Sequence, residues 1–181
     1  LNQNMIITIL PSSANFHAIA YNEMKVEKGI ATLLEAQNIL GLRPENYTLE
    51  KLRQYFLDYS SRNTHIQNAQ FHVAVSCKGN DYTHEQLLDI AHRYLKEMGY
   101  AEEGQPLLVY AHRDTGNNHI HIVTSRVAPD GHKIDHNHEK RRSHQVTQKI
   151  MEDFSGQKQE PEVNDIVKEA LAYRYTSKAQ F

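Results

Sequence analysis

The stretch 110-YAHRDTGNNHIHIVTSRV-127 decides the fold prediction, because it places three histidines and an aspartate inside what is otherwise two strands and a turn. Residues 106–112 and 118–126 are rich in apolar and β-branched side chains, which is typical of strands. The glycine and asparagines of 113-RDTGNN-118 favour a turn between them. An ordinary half-buried hairpin needs no histidine cluster, so this one indicates a chemical function.

The spacing of the histidines predicts a metal site. His119 and His121 are two residues apart in one strand, so their side chains project from the same face. Pairing of His112 with His119 across the turn would bring His112, and with it Tyr110, to that face. A single strand histidine is usually an ordinary buried or exposed side chain, but three on one face favour a metal. Three imidazoles suit Zn, Mn, Co, Ni or Cu and leave coordination positions open. Because these ligands are neutral, the ion keeps its charge for an anionic substrate such as a phosphodiester.

Asp114 has three interpretations at this point. Its carboxylate would accept the outer N–H of a metal-bound imidazole and so fix the orientation of that ring, which is the role we favour. Alternatively, it would take a proton from a nucleophile. An aspartate at the start of a loop also commonly bonds to the backbone of its own turn, without any chemical role.

Length and composition indicate one soluble globular domain. The chain has 181 residues, which is enough for one well-buried core and short for two. Hydrophobic residues make up 39% and charged residues 23% of it, as in globular rather than disordered proteins. No apolar run approaches the ~18 residues of a membrane span, and the single cysteine suits a reducing compartment. We therefore expect a cytoplasmic protein without membrane insertion, and we interpret residues 1–4 as an addition before Met5.

Helices and strands interleave along the rest of the chain. The patterns predict strands over 5–10 and 70–76, helices near 13–27, 48–59 and 83–98, and two polar helices near 138–155 and 162–175 in a helical C-terminal part, 138–181. Residues 30–40 are ambiguous, and Gly41 and Pro44 mark a break after them. With at least one hairpin, this order predicts the α+β class, with a central antiparallel or mixed sheet and helices packed mainly on one face.

A basic segment follows the hairpin. Between Arg126 and Lys149 six basic residues outnumber three acidic ones, although the net charge of the whole chain is −2. Such a run is commonly a solvated helix surface, and it also suits contact with a DNA backbone. The adjacent histidines of 135-DHNHEKRRSHQV-146 spell the letters of the HNH nucleases. Those letters stand for residues far apart in sequence, so we interpret this segment as the basic start of a helix.

Three motifs, in order along the chain, resemble those of the HUH endonucleases, and within them the relaxases of conjugative and mobilisable elements. The pattern H-x-D-x(4)-H-x-H of 112-HRDTGNNHIH-121 is similar to the third motif of that family. The second motif resembles residues 70–100, a strand followed by a loop and an amphipathic helix. The first resembles 16-FHAIAYNEMKVEKGIA-31, where a helix carries a tyrosine ahead of Lys-Val and a glycine. The similarity covers about residues 5–135.

The resemblance implies DNA nicking by transesterification. Tyr21 matches the nucleophile, which attacks a phosphodiester at an origin of transfer and leaves a free 3′ hydroxyl and a 5′-phosphotyrosine intermediate. Asp114 is the second expected catalytic residue. The three histidines are expected to bind one divalent metal ion, Mn or Mg in function, with Zn, Ni or Co as substitutes in vitro. Among the ten tyrosines of the chain, Tyr110 is the structural alternative, since the hairpin register places it beside the metal.

The resemblance also implies partners. Single-stranded DNA at the origin of transfer is the expected substrate, with accessory mobilisation and coupling proteins as further partners. The residues expected to contact DNA are Lys25, Arg126, Lys133, Arg141 and Arg142. Residues 1–181 are expected to form a single nuclease domain, the N-terminal part of a longer relaxase.

Two other functional classes remain open at this level. A rolling-circle replication initiator or transposase with HUH chemistry would share the site and differ in the DNA that it recognises. A metal-dependent phosphoesterase of small molecules would keep the histidines but need no tyrosine. An inactive DNA-binding module is a third interpretation, which the intact set of histidines disfavours.

Overall fold

The computed structural model describes residues 5–79 and 81–157, which form five strands and four helices. In chain order they are β1 (Met5–Leu10), α1 (His17–Glu27), β2 (Ala31–Gln37), α2 (Leu49–Ser60), β3 (Gln70–Cys77), α3 (His84–Met98), β4 (Leu107–His112), β5 (His119–Ser125) and α4 (Glu139–Gln157), with a 3-10 turn at Pro44–Asn46. The predicted helix near 162–175 lies outside the described residues. The chain divides after Thr147 into two compact units, and all five strands belong to the first.

The strands form one antiparallel sheet in the order β1-β3-β5-β4-β2. The hairpin of β4 and β5 has the predicted register, with His112 opposite His119 and Tyr110 opposite His121. On the other side of β5, Ala74 of β3 is the partner of His121. The hairpin therefore lies inside the sheet, where its side chains are held by strands on both sides.

Helices cover both faces of this sheet. The face that carries the histidines packs against α1 and α2: the Ala18 amide donates to Gln70 Oε1 at 2.8 Å, and the hydroxyls of Ser60 and Ser125 are 2.8 Å apart. The opposite face packs against α3, and Tyr100, just beyond α3, stacks on Phe71 of β3 with ring centroids 3.9 Å apart.

The α+β class and the antiparallel sheet are confirmed, while the helices are shared between the two faces rather than placed mainly on one. The reason lies in the central strands. Five consecutive residues of β4, 107–111, are each at most 5% exposed. Strands that are apolar at consecutive positions, instead of alternate ones, need cover on both sides.

Local signals set the helix boundaries. Thr83 and Gln86 form the predicted capping box at the start of α3, with Thr83 Oγ1 accepting from the Gln86 amide at 3.2 Å and Gln86 Oε1 accepting from the Thr83 amide at 2.9 Å. Thr48 Oγ1 likewise accepts from the Lys51 amide at the start of α2. At α1 the helix begins later than predicted, since Ser13 Oγ accepts from Asn15 and His17 in the preceding turn.

Strand β2 was not predicted, and its pairing with β4 shows why. The register shifts between Leu33 and Glu35, so one residue of β2 bulges out of the ladder. A bulge interrupts the alternation of inward and outward side chains from which a strand is recognised in sequence. Among the helices that the structure describes, none combines the length and the apolar content that crossing a membrane requires.

Candidate active site

Three histidines converge on one point of the covered face, next to the turn between β4 and β5. One ring nitrogen of each of His112, His119 and His121 lies within 4.8 Å of those of the other two. The ring centroids of His112 and His119 are 5.0 Å apart, and those of His112 and His121 are 4.1 Å apart. His112 and His121 are buried and His119 is partly exposed, so the cluster opens to solvent on one side.

The other ring nitrogen of each histidine is held by a neutral partner. His112 Nε2 donates to Asn22 Oδ1 at 2.6 Å, and His119 Nδ1 donates to the backbone carbonyl of Asn117 at 3.0 Å. His121 Nδ1 lies 2.8 Å from Nε2 of a fourth histidine, His72 of β3. These bonds leave the Nε2 atoms of His119 and His121 for the shared space. His112 Nδ1 faces the same space and has Lys25 Nζ as its neighbour at 3.5 Å. Fixing a ligand ring through its second nitrogen is the usual support of a metal site, so these residues fit one divalent ion.

The protonation of the cluster suits metal binding as well. Burial, together with the Lys25 ammonium and His119, lowers the pKa of His112 to about 4. Burial and the neighbouring histidines lower the pKa of His121 to about 2. Burial alone lowers the pKa of His72 to about 4. These rings are therefore neutral near pH 7, which is the form that binds a metal ion.

Asp114 lies on the ligand side of the cluster. Its Oδ2 accepts a hydrogen bond from Lys25 Nζ, and its Oδ1 is 3.5 Å from His119 Nε2 and 3.9 Å from His112 Nδ1. The hydrogen bond from Lys25 holds the pKa of the Asp114 carboxyl below its usual value. Burial would lower the pKa of Lys25, but the hydrogen bonds with Asp114 and Tyr21 outweigh it and the pKa is raised. Both groups are thus charged near pH 7.

This position differs from the orienting role that we favoured for Asp114. In that role the carboxylate would bond to the outer nitrogen of a ligand histidine. The outer nitrogens are instead taken by Asn22, the carbonyl of Asn117 and His72. Asp114 is instead hydrogen-bonded to the Lys25 ammonium.

Tyr21 stands beside the histidines with its ring partly open to solvent. The residue is 41% exposed, and its ring centroid is 5.9 Å from those of both His112 and His121. Lys25, one helical turn further along α1, places Nζ 4.6 Å from the centre of the Tyr21 ring. This exposure places the Tyr21 ring at the surface rather than in the core.

Tyr110 lies on the histidine face, as the predicted register requires, but inside the core. It is completely buried, and its hydroxyl donates to Glu23 Oε1 at 2.6 Å. Burial, with the nearby Glu23 carboxylate, raises the pKa of Tyr110 well above its usual value. Its hydroxyl is therefore bound within the fold, and Tyr110 is the poorer candidate for a nucleophile.

The residues expected to contact DNA divide into two groups. Lys25 is part of the histidine site. Arg126 follows β5 at its far end, ~17 Å along the strand from His121 at ~3.3 Å per residue. Lys133 pairs with Val127 in an isolated bridge at that same end.

Two of the basic residues are engaged within the fold, which differs from the free cationic surface that we expected. Arg126 is 8% exposed, and its guanidinium donates to both carboxylate oxygens of Glu139 at 2.7 and 3.0 Å. Arg142 donates to the backbone carbonyls of Asp135 at 3.1 Å and Met98 at 3.3 Å. Lys133 and Arg141 are exposed.

Sequence reasoning missed Asn22 and His72. His72 and His121 become neighbours only through the pairing of β3 with β5, in which His72 lies opposite Val123. A sequence shows that His72 belongs to a strand but not which strand pairs with it. Asn22 directly follows Tyr21, and its position next to the expected nucleophile was the available signal.

The comparison with protein families identifies the chain. The model of the family described as "Relaxase: MobA/VirD2-like, nuclease domain" matches residues 21–155. The chain belongs to this relaxase family. The match includes the tyrosine at its first residue and the whole histidine hairpin, and it makes the protein a DNA-nicking relaxase. No curated protein and no solved structure matches the chain significantly.

Proposed function

We propose that this relaxase nicks one strand of an origin of transfer by attack of the Tyr21 hydroxyl on a phosphodiester, during mobilisation of a plasmid or transposon. The observation that carries the proposal is the placement of Tyr21, which is exposed to solvent yet lies 5.9 Å, centroid to centroid, from His112 and His121. A tyrosine in this position can meet a phosphate held at the histidines without disturbing the core. Correct placement of the reacting groups is a large part of such catalysis.

In this proposal His112, His119 and His121 hold one divalent cation, Mn²⁺ or Mg²⁺ in function. Zn²⁺, Ni²⁺ or Co²⁺ would substitute in vitro, because imidazole suits late transition metals at least as well. When bound, the cation supplies Lewis-acid polarisation of the scissile phosphate. The histidines contribute no negative charge, so the attraction for an anionic phosphate is not offset by its own ligands.

The bond changes in this proposal are those of a transesterification. Its oxygen forms a new bond to phosphorus, and the bond from phosphorus to the 3′ oxygen breaks. The departing oxygen takes up a proton and becomes the free 3′ hydroxyl, while the 5′ phosphate stays on Tyr21. The Lys25 ammonium, 4.6 Å from the Tyr21 ring centre, stabilises the negative charge that develops on the phenolic oxygen.

Asp114 serves this step in two ways. Its Oδ2 holds the Lys25 ammonium beside Tyr21. Its Oδ1 accepts the proton that leaves the Tyr21 hydroxyl and then releases that proton to solvent. Because the phosphodiester energy is kept in the phosphotyrosine bond, the reverse reaction rejoins the strand without ATP.

The substrate in this proposal is single-stranded DNA, because an extended strand can present one phosphate to the site with the attacking oxygen in line. Lys25 in the site and the exposed Lys133 and Arg141 are the proposed phosphate contacts. Accessory mobilisation and coupling proteins are the proposed partners, and the cytoplasm is the proposed location. A replication initiator or transposase with the same chemistry is the second candidate, and the origin sequence that the protein nicks separates the two.

The test is covalent capture of DNA. The protein incubated with Mn²⁺ and an origin-containing oligonucleotide is expected to form an adduct that survives denaturing electrophoresis. Tyr21→Phe keeps the ring and removes the hydroxyl, so this variant is expected to fold and bind DNA but to form no adduct. The matched control is Tyr110→Phe, which is expected to retain the adduct. An adduct that persists in Tyr21→Phe and disappears in Tyr110→Phe would transfer the role to Tyr110.

A further inference from the structure

Asn22 is a fully buried amide that joins helix α1 to the histidine cluster. It has no exposed surface. Its Oδ1 accepts from His112 Nε2 at 2.6 Å, and its Nδ2 donates to the backbone carbonyl of Ala18 at 2.8 Å. A buried polar side chain with both ends bonded is costly to leave unpaired, so its two contacts are specific features of this site.

The Ala18 bond gives the amide one orientation. Oxygen and nitrogen of an asparagine amide are distinguished by their partners. A carbonyl can only accept, so the end that faces Ala18 is the NH₂ group, and the end that faces His112 is the oxygen. His112 must then carry its proton on Nε2. Its Nδ1 keeps the lone pair, on the side where it meets His119 and His121.

The hydrogen bond between His112 Nε2 and Asn22 Oδ1 constrains the helix that carries Tyr21. Of the eleven residues of α1, only Ala18, Ile19 and Asn22 are buried. Ala18 and Ile19 are the only buried apolar side chains of this helix, so they bury little apolar surface against the sheet. Polar contacts therefore contribute more than usual to the position of the helix. Asn22 is adjacent to Tyr21 in a rigid helical turn, and its partner His112 has its ring 5.9 Å from the Tyr21 ring.

We propose that Asn22 is a positioning residue that selects Nδ1 of His112 as the metal-binding nitrogen and holds Tyr21 in register with the three histidines. The proposal rests on the function proposed above. In it, the Asn22 side chain connects the nucleophile Tyr21 to the metal-binding histidines. Asn22 itself touches neither substrate nor metal.

The test compares two substitutions at Asn22. Asn22→Leu is close in size and removes both hydrogen bonds, whereas Asn22→Asp keeps an acceptor oxygen towards His112. In titrations without DNA, Asn22→Leu is expected to bind Mn²⁺ or Co²⁺ about 10–100-fold more weakly, and Asn22→Asp is expected to recover most of that loss. Nitrogen NMR shifts are expected to show the Nε2–H form of His112 in the wild type and in Asn22→Asp, and a mixture of forms in Asn22→Leu.

The second readout is the rate of adduct formation at saturating metal. Asn22→Leu is expected to remain slower than the wild type there, because more metal restores the ion but not the placement of Tyr21. If Asn22→Leu keeps the wild-type metal affinity and the Nε2–H form of His112, Asn22 does not select the metal-binding nitrogen. If Asn22→Leu forms the adduct at the wild-type rate at saturating metal, Asn22 does not position Tyr21.

The control for general loosening of the helix is Ile19→Val, which removes one methyl group from the packing of α1 in the hydrophobic core. If Ile19→Val weakens metal binding as much as Asn22→Leu does, the effect belongs to helix stability and the proposal is wrong. If the wild type itself forms no DNA adduct, the proposed function fails. The metal titration and the NMR form of His112 would still decide the role of Asn22, since neither needs DNA.

Discussion

Nε2 of His72 lies 2.8 Å from Nδ1 of His121, and the two rings come from neighbouring strands. His121 lies opposite Ala74, and His72 is two residues before Ala74 on the same face of β3. Diagonal neighbours on a sheet are within reach of long side chains. Ala74 itself carries only a methyl group, and the ring centroids of His72 and His121 are 5.0 Å apart. The partner of the His121 ring is therefore another imidazole, whose pKa burial lowers to about 4, so it is neutral near pH 7.

Replacing His72 tests that support. His72→Phe keeps a buried ring and removes both nitrogens, so His121 Nδ1 loses its partner and the ring orientation is no longer fixed. We expect metal affinity to fall by about 10–100-fold, measured by calorimetric titration with Mn²⁺ or Co²⁺. Circular dichroism of the same sample checks that the fold is retained. Unchanged metal affinity in a folded His72→Phe protein would show that His121 needs no such support.

Loss of one ligand is expected to abolish nicking. His119 is the most accessible of the three histidines, so His119→Ala removes an imidazole with little loss of core packing. We expect no nicking at metal concentrations that saturate the wild type, and a similar loss when the wild type is treated with a chelator. Thermal unfolding of His119→Ala within a few degrees of the wild type is the control. Full nicking by this variant after rigorous removal of metal would refute the metal site.

The Lys25–Asp114 pair gives a prediction that differs from the one suggested by sequence alone. Since the outer nitrogens of the histidines have other partners, Asp114→Asn is expected to change metal affinity by less than about 10-fold, below the effect of removing an orienting partner. It removes the charge that holds Lys25, so adduct formation is expected to stay slow at every metal concentration. A metal titration of the nicking rate decides the question. If Asp114→Asn regains the full nicking rate at high metal concentration, Asp114 orients a ligand histidine after all.

The histidine site was more predictable from sequence than the DNA-binding surface. The hairpin register follows from the two-residue period of strands and a short turn, both of which are local, so the meeting of His112, His119 and His121 was predictable. The neighbourhood of His72 depends on pairing between strands that are far apart in sequence, which no local pattern encodes.

The partners of the basic segment were not predictable from sequence for a related reason. Whether an arginine is free depends on long-range packing, and Arg126 lies against Glu139 of a helix that begins thirteen residues later. The charge of Arg126 is visible in the sequence, but its partner is not. The position of Lys25 beside Tyr21 was predictable because the two residues are one helical turn apart, which is again a local relationship.

The contrast between Arg126 and Arg141 gives the last prediction. Arg141 is exposed, so Arg141→Ala is expected to leave stability nearly unchanged and to weaken binding of single-stranded DNA. The slope of log affinity against log salt concentration is expected to fall by about 0.7, because one phosphate is no longer neutralised by the protein. Arg126→Met instead leaves the partly buried Glu139 carboxylate without its guanidinium, which is expected to cost about 1–3 kcal/mol of stability.

DNA affinity decides between the two roles, provided it is measured well below the unfolding temperature of each variant. For the folded Arg126→Met protein we expect the affinity and the salt slope of the wild type, because the guanidinium is already bound by Glu139 at 2.7 and 3.0 Å. A reduced salt slope in Arg126→Met would mean that DNA displaces Glu139 and that Arg126 contacts phosphate after all. An unchanged salt slope in Arg141→Ala would mean that Arg141, at the start of α4, does not contact the DNA. Lys25 and Lys133 would then be the contacts left to test.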